Sequence, residues 1–176
     1  MSGHNKWSKI KHKKAASDSK KSAVFGKLVR LIQVEAKLCN GDVNSPSLKI
    51  AIEKAKKENM PKDNIDRAIK KASESGDVSP VMFEAYGPGG VGIIITGLTD
   101  NNNRTSQEIR HILSKQGAAL GAQGSVAWNF TKNKETGEWE PTSTLNLDDN
   151  DLEKLSNLVD MLEDNEDVQD VYTNAS

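Results

Sequence analysis

The hydrophobic period of this 176-residue chain changes once, at Gly76. Before that glycine, apolar residues recur at helical spacing. After it, β-branched runs and tight turns alternate with helices. One repeating layer cannot accommodate both patterns. The change therefore predicts a helical module over residues 1–76 and an α+β module over residues 77–176.

In the first module, Val24, Phe25, Leu28, Leu31, Ile32 and Leu38 follow the three-four-seven spacing of a helix over residues 20–39. Ser17 and Asp18 are N-cap types ahead of it. Asn40-Gly41-Asp42 supplies a left-handed stop. Ser45-Pro46 opens a second helix over residues 47–59, with Leu48, Ile52, Ala55 and Met60 inward. Pro61 closes it, because proline disfavours helical geometry in the residue before it and suits the first turn of the next helix. A third helix over residues 62–73 buries Ile65, Ala68, Ile69 and Ala72. Three helices with short connections make a small bundle. Residues 1–16 have no period and read as an extended arm.

In the second module, residues 81–86 read as a strand, Gly87-Pro88-Gly89-Gly90 as a turn, and residues 91–99 as a buried strand. Asp100-Asn101-Asn102-Asn103 forms a loop capping a helix over residues 104–116. Residues 118–125 are small and glycine-rich, a loop suited to close packing. Further strands are expected at 126–131, 139–147 and 168–173, with a hairpin turn around Thr136-Gly137 and a helix over 149–162. This order predicts an α+β fold with helices on one face of a mostly antiparallel sheet.

Charge divides at the same point. Residues 1–76 carry 18 Lys/Arg and 8 Asp/Glu, a net of +10; residues 77–176 carry 6 and 17, a net of −11. Such asymmetry suggests a basic module for a polyanion and an acidic one with another role. Mutual neutralisation of the halves is the alternative. Residues 1–14 hold five lysines, two histidines, one tryptophan and no acid. Unpaired ammonium groups are costly to desolvate, so this segment faces water or an anion. The candidate phosphate contacts are Lys6, Lys9, Lys11, Lys13, Lys14, Lys20, Lys21, Lys27 and Arg30. Lysine suits the role as a mobile point charge on a flexible stem. Trp7 and His12 are candidates for stacking on exposed bases, although Trp7 equally suits an apolar anchor on the helices. Lysine contacts position a nucleic acid without reading its sequence.

Other chemistries find little support. His4, His12, His111 and Cys39 match no zinc spacing, and nothing places a nucleophile beside a base. No enzyme activity, metal, cofactor or small-molecule substrate is expected. Gly87 to Gly92 fits G-x-G-x-x-G literally, but a strand follows it where the dinucleotide motif needs a helix. No apolar run approaches the ~20 residues of a membrane span. The basic start leads into no apolar segment, and a single cysteine suits a reducing compartment, so a cytoplasmic location is expected. Asn102, Asn103 and Arg104 sit at a helix N-terminus, where an anion or partner loop is favoured; helix capping explains them as well. The ten carboxylates between Asp148 and Asp170 read as a solvated face or a contact for a basic protein surface.

Several separate stretches resemble the YebC/PmpR family, which includes the mitochondrial translational activator of cytochrome c oxidase. They are MSGHNKWSKIKHKKAASDSKKSAVFGKL, NMPKDNIDRAIKKA, YGPGGVGIIITGLTDNNNRT, LGAQGSVAW and EDVQDVYTN, and together they reach along nearly the whole chain. The resemblance implies a three-helix N-terminal domain followed by ferredoxin-like α+β modules. It implies a DNA-binding transcriptional regulator, with other members implicated in translation at the ribosome. One departure stands out. The family carries a further small domain between the Val-Ala-Trp strand and the strand before the last helix. Here Phe130 reaches Leu145 through residues 131–144, room only for a hairpin around 131–146. The resemblance thus implies a shortened member.

The combined expectation is a non-enzymatic nucleic-acid-binding regulator of gene expression. The DNA-binding reading comes from the resemblance. The alternative is a ribosome-associated translation factor that binds ribosomal RNA and aids elongation. The acidic module is then free to meet the ribosome or the transcription machinery.

Overall fold

The computed structural model describes Lys6, Trp7, Ile10 and residues 18–176. Its contacts divide the chain into two compact units. One holds residues 16–79 with 133–138; the other holds 80–132 and 139–176 together with the N-terminal residues.

The helical unit has α1 (Asp18–Leu38), α2 (Pro46–Lys57) and α3 (Lys62–Lys70), followed by a 3-10 turn at Ala72–Glu74. The expected stops are present. Asn40 and Gly41 take positive φ after α1, and Gly41 N–H donates back to Ala36 O at 2.7 Å. That six-to-one bond closes the helix by capping an otherwise orphaned carbonyl. Pro46 occupies the first turn of α2, and Pro61 precedes α3. The core is Leu28, Ile32, Ala36, Leu48, Ala51, Ala55, Met60, Ile65 and Ala68. Alanine at four of these nine positions lets the helices approach closely. Val24 and Leu38, in phase with the apolar stripe, are instead exposed.

The second unit is mixed helix and antiparallel sheet, an α+β fold. It contains β1 (Ser79–Tyr86), β2 (Gly92–Thr99), α4 (Asn102–Lys115), β3 (Ala119–Leu120), β4 (Phe130–Lys132), β5 (Trp139–Pro141), α5 (Asp149–Glu163) and β6 (Val168–Thr173). The main sheet has the order β3-β1-β2-β6, and β4 and β5 form a separate hairpin. β2 is central and buried almost throughout. Its side chains alternate between faces. Ile93 and Ile95 join a core with Ile109 and Leu113 of α4 and Leu152, Leu155, Leu158 and Leu162 of α5. Ile94 meets Val126 and Phe130 on the opposite face. The sheet is thus covered by two helices on one side and the hairpin region on the other. Among the described residues, no helix is long and apolar enough to cross a membrane.

Three expectations need correction. Residues 126–131 are not one strand: Ala127–Asn129 is a 3-10 turn, and only Phe130–Lys132 is extended. Residues 139–147 extend only over Trp139–Pro141. The cause is buried Asn129, whose Oδ1 accepts from Thr142 Oγ1, Ser143 N and Ser143 Oγ at 2.9, 3.2 and 2.7 Å. These bonds divert both chains from a longer ladder. Finally, the glycine-rich stretch contributes an edge strand, with Ala119 and Leu120 paired to Tyr86 and Ala85.

Candidate nucleic-acid interface

Lys6, Trp7 and Ile10, the described residues of the expected arm, are anchored rather than extended. Lys6, Trp7 and Ile10 are helical. Trp7 is 9% exposed and belongs to the α+β core; Ile10 packs against the same core. Lys6 and Ile10 line a groove with Leu152, Glu153 and Ser156 of α5, and Lys6 Nζ meets Asp149 Oδ1 at 3.0 Å. That ion pair is exposed and contributes little by itself. Trp7 is the stronger tether, since burying an indole removes a large apolar area from water. Trp7 therefore takes the anchoring role, on the α+β core rather than on the helices, and its ring is not presented for stacking. Lys9, Lys11, His12, Lys13 and Lys14 lie outside the described residues.

The remaining basic candidates lie on the first half of α1. Lys20 and Lys21 are exposed, and Lys27 and Arg30 are half-buried. Lys20 and Lys27 are two turns apart and share a face. Lys20 and Lys21 also stand in the first turn, where the helix dipole adds positive potential. Exposed Lys56, Lys57, Lys62, Arg67, Lys70 and Lys71 on and after α2 and α3 add to the basic surface of this unit.

Arg104 is committed elsewhere. Its guanidinium donates to Asp100 Oδ1 and Asp167 Oδ2, each at 2.9 Å, and lies 3.8 Å from Glu108. Hydrogen bonding to Asp167, then to Asp100, raises its pKa further above the ordinary arginine value. Asp167 is buried and also accepts from Thr105 Oγ1 at 2.6 Å and Thr99 Oγ1 at 3.3 Å. Asn101, not Arg104, caps α4, its Oδ1 accepting from Arg104 N at 3.1 Å. Three carboxylates around one guanidinium leave no positive site for an anion, so this cluster fastens β2, α4 and the start of β6. Asn102 and Asn103 are exposed in the first turn of α4.

Sequence reasoning missed Glu84. It is a buried carboxylate in β1 and accepts from Gly124 N, Val126 N and Ala127 N at 2.6, 2.7 and 2.7 Å. Burial pushes its pKa up, but the three backbone donors outweigh burial and hold it below the ordinary value. The only signal was a lone acid within an otherwise apolar strand, Phe83-Glu84-Ala85. Among the described residues, no group of three His, Cys, Asp or Glu is arranged to hold a metal.

The geometry has known counterparts. The profile for the TACO1/YebC protein N-terminal domain matches residues 5–75. That for the TACO1/YebC second and third domain matches residues 78–137 and 133–175. The chain belongs to the TACO1/YebC family. A probable transcriptional regulatory protein of Petrotoga mobilis is 53% identical over 136 residues, covering 75% of this chain and 54% of that protein. By that alignment the chain spans about half the length of its relative. A probable transcriptional regulatory protein of Fervidobacterium nodosum is 38% identical over 235 residues, covering 99% of this chain and 93% of that protein. The second alignment is longer than this chain, so that TACO1/YebC relative has residues this one lacks. The two pieces of the second-and-third-domain match meet at 133–137, in the β4–β5 hairpin. Among solved structures, a conserved hypothetical protein of Aquifex aeolicus superposes with a TM-score of 0.79 at 31% identity, covering 95% of each chain.

Proposed function

We propose that this chain is a non-enzymatic, nucleic-acid-binding regulator of gene expression. Its polyanion contact is the basic stretch from Lys6 to Arg30, continued by the exposed lysines of the helical unit. The carrying observation is charge density: nine Lys/Arg and one carboxylate, Asp18, lie between residues 1 and 30. The two TACO1/YebC relatives described above are named probable transcriptional regulatory proteins, which supports a regulator; DNA as its target is the first reading proposed. A second reading is a ribosome-associated factor that binds ribosomal RNA. It is favoured by the predominance of lysine, which holds phosphates without reading bases.

Salt dependence tests the shared claim. If the basic stretch neutralises Z phosphates, log K falls against log salt with a slope of roughly −0.7Z to −0.9Z. Substituting Lys11, Lys13 and Lys14 with alanine is expected to weaken binding to all sequences alike and flatten the slope by roughly 2–3. Lys20→Ala with Lys21→Ala is expected to act in the same direction. Unchanged slopes in both variants would remove the basic stretch from the interface.

A further inference from the structure

Trp128 is the most exposed large apolar side chain among the described residues, at 75%. Yet it is not loose. Its Nε1–H donates to Ser125 O at 2.8 Å. The hydroxyl of Tyr86, itself 43% exposed, donates to the same carbonyl at 2.7 Å. Two exposed aromatic residues thus turn their polar atoms onto one acceptor. The acceptor is rigid in turn, because Glu84 holds the amides of Gly124, Val126 and Ala127 on either side of Ser125. Gly121 completes the arrangement. A Cβ there would lie 2.5 Å from Ser125 Oγ and 3.2 Å from the Tyr86 ring, so a side chain at this position would have to shift both.

Stability does not require this arrangement, since an indole gains most when buried. Nor does it suit an apolar side chain of a protein partner, which anchors best in an enclosing, desolvated pocket. A nucleobase needs only a flat π-face. With its Nε1–H turned onto the Ser125 carbonyl, what Trp128 leaves to solvent is ring surface, and part of the Tyr86 ring is exposed beside it. The electrostatics agree. No charged residue lies between Lys115 and Lys132, in a chain that is 28% charged. The nearby acid, Glu84, spends its charge on backbone amides beneath the loop. On an otherwise acidic module, this stretch presents a strand's phosphates with no carboxylate of its own.

We propose that Trp128 and Tyr86 form a stacking platform for an unpaired nucleobase of single-stranded DNA or RNA. The proposal rests on the nucleic-acid reading above and adds a second contact, one that selects unpaired strands where the lysines do not.

The test compares a single-stranded oligo(dT) dodecamer with a twelve-base-pair duplex at fixed salt. Trp128→Ala is expected to weaken the single strand about fivefold or more, the lower range for one base–aromatic stack, and to leave the duplex within about twofold. Trp128→Phe retains a π-face and most of the affinity. Removing the indole removes no charge, so the salt slope of Trp128→Ala stays at the wild-type value. Independently, the single strand should quench an exposed tryptophan emission in the wild type that is absent from Trp128→Phe. This readout does not depend on the alanine variant. Wild-type affinity in Trp128→Ala, or binding of the single strand without that quenching, overturns the platform. If lysine substitutions still flatten the salt slope, the broader function survives that failure. Absence of binding to either oligonucleotide at low salt overturns the platform and the DNA-binding reading together, while the ribosomal reading is decided by sedimentation with ribosomes.

Discussion

At the scale of single residues, two buried side chains carry the main consequences. Glu84 is ionised in the interior because three amides point at it. Its folded pKa lies below the ordinary 4.5. A carboxyl depressed by folding stabilises the native state above its unfolded pKa, and that contribution is lost as pH falls through the lower folded value. Glu84→Gln presents an amide N–H to at least one backbone N–H, which should cost about 1–3 kcal/mol near neutral pH. The variant's stability should also fall less steeply on acidification, and denaturant melts across pH 3–7 would show both effects. A variant with the wild-type acid limb would mean that the three bonds do not favour the ionised form. Trp7 is the other case. Truncation to alanine leaves a cavity in the α+β core, a loss of about 3–5 kcal/mol by the usual cost of such deletions. Trp7→Phe should recover most of that loss; if both variants match the wild type in chemical denaturation, the indole is not an anchor. The sequence marked Trp7 as consequential but left its role open, because the same amphipathic ring serves stacking and burial. It gave almost no sign of Glu84, since its partners are backbone amides, which have no residue identity to read.

At the scale of elements, the junction of β2, α4 and β6 is the most constrained part of the α+β unit. Arg104 and Thr105 from α4 and Thr99 from β2 converge on buried Asp167 just before β6. Arg104→Met should lower the melting temperature, because Asp167 loses its charge partner, while oligonucleotide affinity stays at the wild-type value. A selective loss of binding without a stability change would instead return Arg104 to the interface. Nearby, Gly97 sits where the β2–β6 register shifts. A Cβ there would lie 2.4 Å from the Asp167 carbonyl oxygen, which already accepts from Leu98 N at 2.8 Å. Gly97→Ala must therefore displace backbone, and a loss of about 1–3 kcal/mol in equilibrium unfolding is expected. The long elements were legible because their own side chains specify them. All three helices of the first unit, the buried strand β2 and the α5 leucine stripe follow from spacing alone. The short ones were not. β3 is two residues long and exists because β1 offers an edge. The 3-10 turn at Ala127–Asn129 follows from the bonds of Glu84 and Asn129, which are set by tertiary structure. Helical phase also overstated burial at Val24 and Leu38, whose stripe positions are exposed among the described residues.

At the scale of the whole molecule, the uneven charge is the property that binding must use. A chain with net +10 in its first 76 residues and −11 in the rest is near neutral overall, so it gains little general attraction to a polyanion at long range. Under the proposed function its affinity comes from local contacts with the basic stretch, within a Debye length of about 8 Å at physiological salt. Because Lys6, Trp7 and Ile10 pack on the acidic unit itself, a partner of the basic stretch also meets that unit's carboxylates, which basic protein groups would offset. A bare DNA duplex offers phosphates alone. A ribosome offers phosphates and basic proteins together, the combination that the ribosomal reading proposed above calls for. If the ribosomal reading holds, the protein sediments with ribosomes from lysate at moderate salt and dissociates as salt rises. The Lys11, Lys13 and Lys14 alanine variant leaves the pellet at lower salt than the wild type. Saturable binding to a defined DNA fragment, and absence from ribosomes across the same salt series, would decide for transcription. The internal shortening at the β4–β5 hairpin makes the assay more informative, because this TACO1/YebC chain lacks residues that its longer relatives carry at that point. Sedimentation equal to that of a longer relative would place the ribosomal contact in the two units kept here, and weaker sedimentation would assign part of it to the missing segment.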